Sequence, residues 1–360
     1  MQDMSSPATT GPPSTGPSMI DWDLAVSLAS RLAGEGPRVP RDRAVAAVAE
    51  LRADADRSTG LVRDFTGLEA ADHGAPVLVV DRPGWIQANA DGFRRIIDPL
   101  ADRITSAKPP SGLTRAVGSR ITGAEVGGLL GFLAGKVLGQ FDPFADPAGR
   151  LLLVAPNVVA VEDELGVDPT DFRLWVCLHE ETHRVQFTAV PWMREHLFSE
   201  IENLSATVRP DAAIDETLKR LTETVRTVRR DGVGQGGLLD LLGSPEQKAV
   251  LDRVTGMMSL LEGHADVVMD GVGPQVIPSV RRIRASFDRR RQGVGTLDRV
   301  LRRLLGLDAK MAQYRDGAAF VRGVVDTVGM ERFNAVWERP EHLPTKAELL
   351  DHGAWIRRVL

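Results

Sequence analysis

Five consecutive residues near the middle of the chain have the types and the spacing of a metal site. Residues 179–183 read His-Glu-Glu-Thr-His. On a helix, His179 and His183 lie one turn apart and point the same way, so two imidazoles can bind one ion. Neutral imidazole suits zinc, and a tetrahedral zinc with three protein ligands keeps one position for water and lowers its pKa to about 7. Glu180 stands beside that position and could accept the proton. The motif therefore predicts a Zn²⁺ site with His179 and His183 as ligands and Glu180 as general base.

The alternative interpretation is a pair of ordinary helical histidines, one of them hydrogen-bonded to Arg184 or Gln186. The surroundings favour the metal site. Phe172, Trp175 and Val176 precede the histidines with the spacing of an amphipathic helix.

A third ligand must come from elsewhere in the chain, and residues 262–266, Glu-Gly-His-Ala-Asp, are the best candidate. Glu262 and Asp266 are four positions apart and share one face of a predicted helix over residues 246–269. We expect Glu262 to bind the metal and Asp266 to accept a hydrogen bond from the far nitrogen of a ligating histidine. His264 is the rival ligand, but on an ideal helix it points about 200° away from Glu262.

Tyr314 is the only tyrosine of the chain. A phenol beside a zinc site can donate a hydrogen bond to the oxyanion that forms when water attacks an amide. We therefore name Tyr314 as a second catalytic candidate, with His196 as an alternative donor. A buried structural tyrosine is the competing interpretation.

Two elements must position the H-E-x-x-H segment. Cap residues and acids from Asp168 onward predict a helix over about residues 171–187. Before it, residues 151–154 predict a strand, which residues 158–161 could continue. Because Pro156 has no N–H to donate to a central ladder, we expect this strand at an edge of the sheet. An extended peptide can add to such an edge.

Glycine recurs at every fourth position in residues 122–139, which predicts a helix with one glycine face that another backbone can approach closely. A membrane span is the alternative, but charged residues interrupt this short stretch. We therefore expect a packed helix of a soluble protein. The glycines are Gly123, Gly127, Gly131, Gly135 and Gly139.

Composition excludes several classes of protein. Of 360 residues, 43% are hydrophobic and 26% are charged, which is typical of a globular chain. The net charge of −5 argues against general nucleic-acid binding. A basic run over residues 281–291 could bind an anion, although a solvated helix face paired with acids is the simpler interpretation.

The single cysteine, Cys177, cannot form an internal disulfide and is expected to be a buried thiol. Residues 1–19 predict a disordered tail without a signal peptide, so we expect a cytoplasmic protein.

Several stretches together resemble one family, the actinobacterial zincin-like metallopeptidases of type 2, which are labelled as associated with deazaflavin coenzyme biosynthesis. The resemblance covers nearly everything after the tail, and it implies a zincin-like fold and hydrolase activity. The matching stretches are GGLLGFLAGKVLGQF (127–141), LLVAPN (152–157), FRLWVCLHEETHRVQF (172–187), LEGHADVVMD (261–270), KMAQYRDGAAF (310–320) and WERPEHLP (337–344).

The sequence thus predicts an α+β fold, mainly helical, with a zincin-like domain over residues 20–360. Residues 20–205 would carry a small sheet and the H-E-x-x-H helix, and residues 206–360 would be a helical half that supplies Glu262. The expected activity is gluzincin-type hydrolysis of a peptide or amide bond. The alternatives are a small-molecule metallohydrolase and a zinc-bearing binding or scaffold protein. We expect a peptide or small-molecule substrate and neither nucleic acid nor membrane as a partner, while the sequence leaves the oligomeric state open.

Overall fold

The computed structural model describes residues 18–70, 75–106, 112–207, 244–292 and 307–360. The predicted tail lies almost entirely outside the described residues. The described part is mainly helical with one small sheet, so the predicted fold class is confirmed.

Helices surround the sheet on both faces. The N-terminal elements are α1 (Trp22–Ala33), α2 (Arg41–Thr66), β1 (Val77–Val80), α3 (Arg82–Ser106), α4 (Gly112–Ala134), β2 (Gly139–Asp142), β3 (Arg150–Val154), α5 (Ala155–Leu165), α6 (Pro169–Thr188) and α7 (Met193–Ala206). The later elements are α8 (Pro245–Gly271), α9 (Val280–Gln292), α10 (Leu307–Val328), α11 (Met330–Phe333), two 3₁₀ turns (Asn334–Trp337 and Pro340–His342) and α12 (His352–Val359).

The sheet has the order β1-β3-β2, with β1 parallel and β2 antiparallel to β3. The expectation that residues 151–154 form an edge strand was wrong, because β3 is the central strand. Pro156 does not interrupt the ladder, since the strand ends at Val154 and Pro156 lies in the first turn of α5, where no N–H is required. Residues 158–161 belong to that helix and not to a continued strand.

Burial explains why β3 lies in the centre. Leu151 and Leu153 pack into the cluster beneath α2 and α6, while Leu152 and Val154 pack into a second cluster with α1, α3 and α4. Successive side chains of a strand point to opposite faces, so a strand covered on both sides reads as a continuous apolar run. The sequence Leu-Leu-Leu-Val is such a run.

Helix α6 begins at Pro169, two residues before the predicted start, and ends one residue after the predicted end. The Asp168 carboxylate accepts a hydrogen bond from the backbone N–H of Asp171 at 3.0 Å, which satisfies one free donor of the first turn. The helix is buried on nearly all sides between α2, the sheet and α8. Cys177 lies on the side of α6 that faces the hydrophobic core, and its thiol is buried, as expected.

The glycine face of α4 packs on α1. A Cβ added at Gly123 would lie 2.6 Å from the carbonyl oxygen of Asp21, and one added at Gly127 would lie 2.7 Å from that of Ala25. The predicted close backbone approach is therefore confirmed for this part of the face, although α4 ends at Ala134, before the last two glycines of the pattern. None of the described helices is long and apolar enough to cross a membrane.

Candidate metal centre

Three side chains from two helices bring their ligand atoms together. The Nε2 atoms of His179 and His183 lie 3.2 Å apart. Glu262 Oε2 lies 3.6 Å from His179 Nε2, and Glu262 Oε1 lies 3.8 Å from His183 Nε2. Zinc bonds of about 2.0–2.1 Å in a tetrahedron separate neighbouring ligand atoms by about 3.3 Å. Two imidazoles and a carboxylate with these separations therefore fit a zinc ion.

Close crossing of α8 and α10 places Glu262 opposite the histidines. A Cβ added at Gly263 would lie 2.2 Å from the carbonyl carbon of Gly317, and one added at Gly317 would lie 1.9 Å from the carbonyl oxygen of Ser259. Only glycine at both positions permits this approach. Gly263, which directly follows Glu262, therefore allows α8 to pack closely against α10 while α8 also contacts α6.

Gln186 holds the second histidine. Its Oε1 lies 2.9 Å from His183 Nδ1, and its Nε2 lies 2.9 Å from the carbonyl oxygen of Leu261 and 3.0 Å from His264 Nδ1. Sequence reasoning named Gln186 only as a partner of an ordinary histidine. His264 faces Gln186 and the rings of Phe333 and Trp337 and is not among the three converging ligands.

Asp266 takes a different partner from the one predicted. Its Oδ1 accepts a hydrogen bond from Nη1 of Arg284 at 3.2 Å, and Arg284 also bonds to Asp270. The guanidinium lies over the ring of Trp175 at 5.3 Å. Meanwhile Nδ1 of His179 is buried and has no hydrogen-bond partner. A guanidinium makes a stronger, charge-assisted bond to a carboxylate than a neutral imidazole does, which accounts for the difference.

Glu180 is 7% exposed and lies against the start of β2. A Cβ added at Gly139 would lie 2.5 Å from Cγ and 2.7 Å from Cδ of Glu180. Burial, opposed by the charge of His179 and assisted by that of Glu262, raises the pKa of Glu180 to about 7. A carboxylate with such a pKa can take up and release a proton near neutral pH.

The two histidines have opposite shifts. Burial lowers the pKa of His179, but a hydrogen bond to Glu262 and the charge of Glu180 outweigh it and raise that pKa to about 9. Burial lowers the pKa of His183, and the charge of Glu262 only partly compensates. The Glu262 carboxylate thus lies within 3.8 Å of Nε2 of both histidines, where it supplies negative charge.

Of the other predicted residues, the side chain of Tyr314 lies outside the described part of the structure, although its backbone belongs to α10. His196 lies in α7 with its ring 5.8 Å from that of Trp192. The basic run forms α9, in which Arg284 and Arg290 pair with acids.

Comparison with known proteins agrees with this geometry. The zincin-like metallopeptidase family matches residues 20–356. The chain belongs to this family. It is also similar to the crystal structure of "a putative hydrolase with a novel fold" from Chloroflexus aurantiacus, with 32% identity and a TM-score of 0.70 over 94% of this chain and 98% of the other. No match is found among curated proteins. These findings support a hydrolase that uses a metal, with zinc the expected ion.

Proposed function

We propose that the protein is a zinc-dependent hydrolase that cleaves a peptide or amide bond. One observation carries the proposal. The ligand atoms of His179, His183 and Glu262 converge beside a buried carboxylate, that of Glu180, at the start of the strand β2. Membership of the zincin-like metallopeptidase family supports it.

Each residue has a defined task in this scheme. His179, His183 and Glu262 would hold the ion. Zinc, when bound, supplies Lewis acidity that polarises a carbonyl and makes water more acidic. Glu180 accepts the proton of the attacking water on a carboxylate oxygen and then donates it to the leaving nitrogen. Burial beside the three candidate ligands places this carboxylate where it can make both transfers.

The orientation of β2 favours an extended substrate. Among the described residues β2 pairs with β3 alone. The N–H of Val154 donates to the carbonyl oxygen of Leu138. Since the groups of an antiparallel strand alternate in direction, the main-chain groups of Gly139 and Phe141 point away from β3. A peptide that adds to this edge would pass directly beside Glu180, which favours a peptide over a compact small molecule.

Digestion of a broad peptide library by the zinc-loaded protein tests the proposal. We expect cleavage by the wild type and by Glu195→Gln, which changes an exposed glutamate of α7. Glu180→Gln should retain zinc and lose about 100- to 10,000-fold in rate, because an amide cannot accept the proton. Zinc binding without turnover of peptides or small amides would favour the binding or scaffold protein instead. Cleavage of small amides alone would favour a small-molecule hydrolase.

A further inference from the structure

The Gln186 side chain is completely buried, and both N–H groups of its amide have an acceptor. Its NH₂ group has two protons, and it has two neighbours that can accept them, the carbonyl oxygen of Leu261 at 2.9 Å and Nδ1 of His264 at 3.0 Å. Its Oε1 lies 2.9 Å from Nδ1 of His183. No other described side chain connects a candidate ligand on α6 with the main chain of α8 in this way.

These contacts determine the orientation of the amide and, through it, the tautomer of His183. A carbonyl oxygen can only accept, so the NH₂ group of Gln186 must face Leu261. Oε1 then faces His183 and can only accept, so Nδ1 of His183 must carry the proton. The Nε2 lone pair of His183 is thereby directed at the position shared with His179 and Glu262.

The same amide also fixes a distance between helices. Leu261 directly precedes Glu262, so the bond to its carbonyl oxygen holds α8 against α6 within one residue of the third candidate ligand. Nδ1 of His264, on the same helix, accepts a second hydrogen bond from this amide. The Gln186 side chain thus orients the ring of His183 and also holds the main chain of Leu261, the residue before Glu262.

We propose that Gln186 is a positioning residue that prepares the metal centre before any ion binds, by fixing the Nδ1–H tautomer of His183 and the spacing between His183 and Glu262. The inference rests on the proposed function. An amide suits this task because it orients the imidazole without a further negative charge. A carboxylate here would add to those of Glu180 and Glu262, which already surround the site. Hydrogen-bond partners of ligating histidines commonly contribute 10- to 100-fold in metal affinity.

Two substitutions separate the roles of the amide. Gln186→Met keeps the length of the side chain and removes all three hydrogen bonds. Gln186→Glu keeps an acceptor for His183 but loses both donors to α8. Thr182→Val is the control, because it removes a buried hydroxyl of the same helix that bonds only to the carbonyl oxygen of Leu178. Competition with a chelator should show zinc affinity about 10- to 100-fold weaker for Gln186→Met, intermediate for Gln186→Glu and within about twofold of wild type for Thr182→Val.

A second readout needs no metal. In zinc-free protein with ¹⁵N-labelled histidine, His183→Gln identifies the signals of His183 among those of the 7 histidines. We expect the Nδ1–H tautomer in wild type and a mixture of tautomers in Gln186→Met. Unchanged zinc affinity in both Gln186 variants, or an unchanged tautomer in Gln186→Met, would overturn the proposal. If Gln186→Met does not fold, the affinity of Gln186→Glu decides it. If the wild type binds no zinc, the proposed function fails, whereas the tautomer measurement still decides the role of Gln186.

Discussion

Gly139 and Glu180 are in such close contact that no side chain fits between them: a Cβ built on Gly139 would lie 2.5 Å from Cγ of Glu180. The edge strand and the proposed general base are therefore positioned by one glycine. Because β2 cannot move without breaking its ladder with β3, any atom added at Gly139 must displace the Glu180 carboxylate.

The first prediction follows from this contact. Gly139→Ala should lower kcat by roughly 10- to 100-fold, since a displacement of about 1 Å in a catalytic group has an effect of that size. Zinc affinity should stay near that of wild type, because the three atoms nearest to an added Cβ at Gly139 all belong to Glu180, which is not one of the three candidate ligands. Steady-state kinetics and chelator competition measure the two quantities.

Gly128→Ala is the matched control. An added Cβ at Gly128 meets nothing within 4 Å, and the residue lies in the helix α4. That variant should keep full activity and gain up to about 1 kcal/mol in stability, because alanine has the higher helix propensity. Equal activity of Gly139→Ala and Gly128→Ala would show that the position of Glu180 does not limit the reaction.

The second prediction concerns the ligands themselves. His179→Ala and His183→Ala should lose tightly bound zinc, and Glu262→Gln should bind it more weakly, because each change removes a ligand atom from a set of three. Elemental analysis after purification without chelators should find about one zinc per wild-type chain. A wild-type protein without a transition metal, or wild-type affinity in Glu262→Gln, would contradict the assignment.

Local signals made the two ligand-bearing helices predictable. The Asp168 cap, the acids of the first turn and the apolar spacing all lie within the segment that forms α6. Likewise α8 is capped by Ser244, whose side chain accepts a hydrogen bond from the backbone N–H of Gln247 in a capping box. Such features depend on neighbours in sequence, so the positions of His179, His183 and Glu262 on helical faces follow without knowledge of the fold.

The partners of these side chains were not predictable, because they depend on how distant elements pack. The spacing of Glu262 and Asp266 suggested that Asp266 binds a histidine. In the structure α9 instead places Arg284 within hydrogen-bond distance of Asp266. The role of Gln186 depends on Leu261, 75 positions further along the chain. For β3 the sequence did hold a signal, the unbroken apolar run of a strand buried on both faces, and Pro156 was given too much weight against it.

The third prediction uses the difference between Asp266 and Gln186. Asp266 acts on the histidines through its charge and makes no hydrogen bond to either ring, because Arg284 binds it. Asp266→Asn should therefore weaken zinc binding only severalfold, less than Gln186→Met does. Chelator competition on both variants in one buffer compares them directly. A larger loss for Asp266→Asn would mean that Asp266 leaves Arg284 and binds Nδ1 of His179 when the metal is bound.

The fourth prediction concerns Asp54, a carboxylate of α2 that is 6% exposed and whose Oδ2 has no hydrogen-bond partner. Burial, together with the charge of Glu50, raises its pKa from 3.8 to about 6. The folded state therefore binds this proton more tightly than the unfolded state. By linkage, stability falls as pH rises from about 4 to about 6, and the destabilisation is then constant above pH 7.

Asp54→Asn should remove this effect, because an amide of the same shape carries no charge to desolvate. We expect zinc-free Asp54→Asn to be about 1–2 kcal/mol more stable than wild type at pH 7.5 and to lose nearly all of that advantage near pH 3, where Asp54 is largely protonated in both the folded and the unfolded state. Urea denaturation at the two pH values measures the difference. The control is Asp56→Asn, an exposed carboxylate two positions along the same helix, which should change stability by less than about 0.5 kcal/mol at either pH. A gain for Asp54→Asn that is equal at both pH values would show that packing, and not the buried charge, determines its effect.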